Sequence, residues 1–138
     1  MYLRAVLAYG GPAFSTEDAR RYRLDMGSLL SHVKIINNGH VAHVFLGGEF
    51  DAEEVTALSR DLRPLIDAPP PAVSLNLREV AYLCSGGLTP IIELRCAVER
   101  AGAEWDLVDA SSITERLIEL TGLAATLGLR PRDLVSRC

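Results

Sequence analysis

The sequence predicts an α/β domain with a mixed four- or five-stranded sheet and about three main helices packed mostly on one side. Three observations carry this. Two β-like runs flank Asn37-Asn38-Gly39, and Asn-Gly is the strongest short hairpin signal because both central residues tolerate positive φ. Helix-start signals stand at Asp51 and Ser112. Further strand-like runs alternate with helical stretches, and that order implies parallel pairs joined by right-handed crossovers.

Each element has its own reason. Residues 1–28 show no sustained period, and Gly10-Gly11-Pro12 interrupts them; such pairs break regular structure. They are expected to form an ill-defined N-terminal extension with a helical turn after Ser15, and the domain proper is expected over 29–138. Leu29 to Asn37 and Val41 to Leu46 form the hairpin. Asp51 then caps a helix, with Glu54 three residues on and Phe50 and Val55 at the staple positions. Val55, Leu58, Leu62, Leu65 and Ile66 recur at helical spacing until Pro69-Pro70-Pro71.

Val73, Leu75 and Leu77 alternate with Ser74, Asn76 and Arg78, the period of a half-buried strand. After Cys84-Ser85-Gly86-Gly87, a second helix runs to about Ala101 with Ile91, Leu94 and Val98 on one stripe. A helix opening at Ser85 would put Pro90 where a backbone N–H is needed, so the regular helix is expected to begin near Thr89 or Pro90, or to kink there. Trp105 to Val108 is a short strand. Ser112 and Glu115 form a second candidate capping box, and Ile113, Leu117 and Leu120 supply the third helix's apolar stripe up to Gly122. A further helical turn or two is expected between Leu123 and Pro131.

Composition narrows the function. A chain of 138 residues with 49% hydrophobic and 23% charged residues has material for one core. Fourteen basic against eighteen acidic residues give a net charge of −4. The basic cluster Arg20, Arg21, Arg23 is interleaved with Glu17, Asp18 and Asp25. Nucleic acid and anionic membranes, which need a clustered basic face, are therefore not expected partners. No apolar run approaches the roughly 20 residues that span a bilayer, and no export signal is read. The chain is expected in the cytoplasm with reduced thiols.

The chemistry-bearing residues are sparse. Cys84, Cys96 and Cys138 show no metal spacing, and His32, His40 and His43 lie on or beside the hairpin without a carboxylate or cysteine at ligand spacing. No metal and no cofactor is expected. Leu83-Cys84-Ser85-Gly86-Gly87 lacks the Gly-x-Ser-x-Gly pattern of a hydrolase elbow, and no phosphate-cradling loop is present.

Four segments together resemble the STAS domain family of anti-sigma factor antagonists. Val41 to Asp51 is similar to the family's strand and Gly-Glu-Leu-Asp opening. Val73 to Leu83 resembles its third strand and bend. Cys84-Ser85-Gly86-Gly87-Leu88 falls where the family has Asp-Ser-Ser-Gly-Leu, and Leu120-Thr121-Gly122-Leu123 resembles Leu-Thr-Gly-Leu near the third helix end. The resemblance covers about residues 29–130, in the family's order and spacing.

It implies a non-enzymatic binding module. Its partner would be an anti-sigma factor, a serine kinase with a histidine-kinase-like ATPase fold, whose capture frees a sigma factor. The partner-binding loop would be Cys84, Ser85, Gly86, Gly87, Leu88 and Thr89, flanked by Glu49 and Asp51. In the family the second serine of the pair is phosphorylated to break the complex, and that position is Gly86, which has no hydroxyl. The expectation is a binder without the standard switch, either constitutive or controlled in another way. Ser85 is the alternative phosphoacceptor, set against an ordinary turn or capping role. Cys84 is a candidate redox thiol, since a helix N-terminus favours the thiolate, set against a small buried hydrophobe. Alternative readings are an accessory subunit of an ABC-type lipid transporter or a signalling assembly, and a thiol-responsive regulator. A homodimer through the exposed edge of the hairpin is a further open arrangement.

Overall fold

The computed structural model describes residues 31–128 and the backbone of an N-terminal strand at residues 2–8. The described strands are β1 (Tyr2–Ala8), β2 (Ser31–Asn37), β3 (Val41–Phe50), β4 (Ala72–Leu83) and β5 (Glu104–Ala110). The helices are α1 (Ala52–Asp67), α2 (Leu88–Arg100), α3 (Ser112–Leu120) and α4 (Ala124–Leu127), with a 3-10 turn at Ser85–Gly87 before α2. The sheet order is β1-β2-β3-β4-β5. β2 and β3 are antiparallel, while β1–β2, β3–β4 and β4–β5 are parallel. This is the mixed sheet the sequence predicted, in its five-stranded form.

The Asn-Gly turn works through its side chains. Gly39 takes φ +88°. Asn37 Oδ1 accepts from Gly39 N at 2.9 Å, and Asn38 Oδ1 accepts from His40 N at 2.9 Å and Val41 N at 2.7 Å. These bonds replace ladder bonds that a tight turn cannot make.

The described helices share one core with one face of the sheet. Val33, Ile35, Val44, Leu46, Val73, Leu75, Leu77 and Leu107 meet Leu58, Leu62, Ile91, Leu94, Val98, Ile118 and Leu127 in one buried cluster. Burying each leucine or isoleucine there stabilises by about 1.5–3 kcal/mol relative to exposure.

The other face is buried too, and it is more polar. Ile36, His43, Phe45, Ser74, Asn76 and Val108 are all buried. The period of two turns His43 to the face opposite Val44, and that face is covered: His43 is 1% exposed, and its Nδ1 hydrogen-bonds Ser74 Oγ at 3.0 Å across paired positions of β3 and β4. Burial pushes the imidazole pKa below its ordinary value.

Three further expectations change. First, Tyr2–Ala8, inside the stretch read as an N-terminal extension, form a strand running alongside β2 from Tyr2↔Ser31 to Ala8↔Asn37. β1 therefore occupies the hairpin edge expected to be open to a second chain. The short apolar run of β1 carries no alternation of its own, and its pairing is long-range. Second, Ser111, not Ser112, caps α3: its Oγ accepts from Thr114 N at 3.3 Å. Third, the buried residues of α3 are Thr114 and Ile118, while Ile113 is 55% and Leu120 74% exposed. Ser111 N donates to Leu77 O at 3.1 Å, and this anchor sets how the helix enters and which stripe turns inward. The turn expected after Ser15 and the residue Cys138 lie outside the described residues.

Candidate functional site

The candidate site lies where the parallel strands β3 and β4 end and α1 and α2 begin. Bulges shape it. The β3–β4 register slips between Phe45 and Gly47 and again between Gly48 and Glu49. A bulge bends the strand and re-aims its side chains. Arg78 holds the first slip in place: its N donates to Asn76 Oδ1 at 2.9 Å, and its Nε donates to Asp109 Oδ2 on β5 at 2.7 Å. After the slip the alternation of β4 changes phase. Val80 turns inward, while Glu79, Ala81 and Tyr82 are exposed.

At the tip of the pair, Glu49 stands opposite Tyr82 and Phe50 opposite Leu83. Glu49 is exposed and Tyr82 is 47% exposed. Phe50 and Leu83 are buried and hold the tip to the core. Asp51 starts α1 through the predicted capping box, in which Glu54 Oε1 accepts from Asp51 N at 3.1 Å. The Asp51 carboxylate therefore serves its own helix.

The loop is tied down at its root. Cys84 N donates to Phe50 O at 3.1 Å, and Gly87 N donates to Cys84 O at 2.8 Å. The Leu88 N–H points to the carbonyls of both Ser85 and Gly86. Pro90 then falls at the third position of α2, in the first turn, where its missing N–H costs nothing. The 3-10 turn takes up the residues that Pro90 keeps out of the α-helix.

The six predicted loop residues divide by direction. Ser85, Gly86 and Thr89 are exposed, and Cys84 is half-buried with a free thiol. Gly87 and Leu88 are buried. A Cβ at Gly87 would sit 2.3 Å from Leu83 Cδ1, so this glycine permits the close approach of loop and strand. Leu88 belongs to the core cluster. The outward surface is thus Glu49, Asp51, Ser85, Gly86 and Thr89, with Tyr82 added. Sequence reasoning missed Tyr82 because alternation assigns it to the face of Ser74 and Asn76 without showing that this face, buried there, opens to solvent at the strand end. The glycine pair Gly47-Gly48, opposite Glu79 and Val80, was the available signal for a bulge.

The remaining candidates lie elsewhere. Cys96 is half-buried on α2. Trp105 packs at the opposite end, with its Nε1 donating to Leu127 O at 2.9 Å. Among the described residues no three His, Cys, Asp or Glu side chains are grouped to hold a metal, and no helix is long and apolar enough to cross a membrane.

Fold and site together define a one-sheet α/β domain with a solvent-facing loop at the carboxyl ends of its parallel strands. The chain belongs to the STAS-domain family: the family model described as "Mlab, STAS domain" matches residues 34–131. Solved structures agree. An anti-sigma factor antagonist from Mycobacterium paratuberculosis is 25% identical, with a TM-score of 0.60 over 76% of this chain and 91% of that one. The anti-sigma factor antagonist SpoIIAA in its unphosphorylated form is 15% identical, with a TM-score of 0.59 over 67% of this chain and 83% of that one. The Bacillus cell fate determinant SpoIIAA in its phosphorylated form is 15% identical, with a TM-score of 0.56 over 67% and 86%. No curated protein is significantly similar in sequence.

Proposed function

We propose that this protein is a non-enzymatic interaction module of the anti-sigma factor antagonist type, acting in the cytoplasm. Its partner is an anti-sigma factor of the serine-kinase, histidine-kinase-like ATPase class, bound through Ser85, Gly86 and Thr89 with Glu49 and Tyr82 at the flank. One observation carries the reading. In a chain 25% identical to an anti-sigma factor antagonist, these residues form a single exposed patch at the ends of β3 and β4. Cys84 supports the patch through its backbone and Asp51 by capping α1.

Gly86 offers no hydroxyl, so the module binds constitutively and lacks the standard phosphoserine switch. A phosphate adds about −1.5 to −2 charge and would repel a partner packed on this loop. Without an acceptor at 86, ATP should not release the partner.

The test is a pull-down with the tagged full chain from its own cells, followed by ATP. The expected result is a histidine-kinase-like ATPase that stays bound, with no phosphate on Ser85. Recovery of a transporter ATPase instead would replace this reading with the accessory-subunit one, which Gly86 equally suits because it requires no phosphoserine. Phosphate on Ser85 with release of the partner would overturn the constitutive part alone.

A further inference from the structure

Gly86 is a glycine that the fold does not require. Five of the described glycines adopt positive φ, a backbone region that other residues rarely occupy. Gly47 and Gly87 have no room for a Cβ: the nearest atoms would be His32 Nε2 at 2.2 Å and Leu83 Cδ1 at 2.3 Å. Gly86 alone among the described glycines has neither constraint. Its φ is not positive, and an added Cβ would meet nothing within 4 Å. It is exposed, in the middle of the 3-10 turn.

A glycine in such a place lowers stability, because it adds conformational freedom to the unfolded chain without easing the folded one. Among the described residues nothing offsets that. A missing side chain also allows close approach of the backbone by another molecule. The surroundings suit such an approach. Tyr82 stands half exposed beside the loop, and aromatic residues of this kind anchor protein interfaces. Glu49, Asp51 and Glu53 are exposed, while the nearby Arg78 is paired with Asp109.

We infer that Gly86 is a specificity-determining contact: a bare spot on which a folded protein packs directly against the backbone, with an apolar recess for Tyr82 and a basic group facing Glu49. This deepens the proposed partner binding and rests on it. A side chain at 86 would then block the partner without disturbing the fold.

The experiment compares wild type, Gly86→Ala, Gly86→Leu, Gly87→Ala and, at the far end on α4, Ala125→Leu. Thermal unfolding should leave both Gly86 variants at or above the wild-type Tm and lower that of Gly87→Ala. The protein retained by wild type is then purified and titrated against each variant. Gly86→Leu should weaken binding by about 10- to 100-fold, as overpacking a close contact does, Gly86→Ala less, and Ala125→Leu not at all. A Gly86→Leu Tm as low as that of Gly87→Ala would make Gly86 structural and overturn the inference. Equal affinity of wild type and Gly86→Leu would also overturn it while leaving the proposed function standing. A wild-type bait that retains no protein would overturn the proposed function itself, and the inference with it.

Discussion

The two helices that begin at the carboxyl ends of β3 and β4 start in opposite ways. α1 is closed by its own side chains: Asp51 caps it and Glu54 bonds back to Asp51 N. α2 has Gly87 at its N-cap and no side-chain cap at all. Its entry is held by the backbone instead, through Cys84 N to Phe50 O and Gly87 N to Cys84 O. Capping by side chains fills the space above a helix start, whereas capping by backbone leaves it bare. The first start is therefore a structural junction and the second an open surface, although they lie side by side on paired strands. Local capping chemistry is the reason one of two similar strand–helix junctions becomes the candidate site.

This contrast can be broken from its root outward. The largest effect should come from Leu88→Ala, which opens a cavity under the first turn of α2, since Leu88 is 2% exposed. It should destabilise by about 2–5 kcal/mol, read by urea unfolding. A loss of binding with normal stability would instead make Leu88 a contact residue. Next, Gly87→Ala should cost about 1–3 kcal/mol, because its Cβ would press on the buried Leu83. At the other junction, Asp51→Ala should cost about 0.5–2 kcal/mol by removing the cap, with partner binding changed less than stability. An Asp51→Ala variant that unfolds normally but fails to bind would show that this carboxylate also belongs to the open surface.

A pH titration separates both junctions from the rest of the fold. The pKa of His43 is lowered in the folded protein from its ordinary 6.5. The unfolded chain therefore takes up a proton first as pH falls. Stability contributed by neutral, buried His43 is complete above about pH 6.5 and declines below it, by at most about 1.4 kcal/mol per pH unit. His43→Gln should flatten that slope, measured by denaturant unfolding between pH 5 and 8; an unchanged slope would place the titrating group elsewhere. The smallest change is expected at the open junction. Gly86→Ala should stabilise by about 0.4–1 kcal/mol through the unfolded state. Destabilisation there would mean that the glycine serves the fold after all.

Much of this architecture was legible in the residues. Asn37-Asn38-Gly39 specified its turn, Asp51 and Glu54 specified the start of α1, and Ile91, Leu94 and Val98 specified the buried stripe of α2, all fully buried as the spacing required. Pro90 foretold that α2 would begin after Ser85, and Leu88 is where it begins. The candidate site was legible in part. Its loop and flank were placed by resemblance, yet the inward turn of Gly87 and Leu88 and the outward turn of Tyr82 were not.

The division has a physical basis. Caps, turns and helical stripes are set by residues a few positions apart, so a contiguous stretch of sequence determines them. The phase of β4 beyond Asn76 depends on how many residues of β3 and β5 stand opposite it, and the register slips there turn Val80 in and Tyr82 out. The pairing of β1 with β2, the rotation of α3 about the Ser111–Leu77 bond and the burial of His43 against Ser74 likewise join segments far apart in the chain. The sequence by itself determined the elements and their order. Only the tertiary structure decided which faces of β4 and α3 meet water, because long-range register is a property of several strands at once.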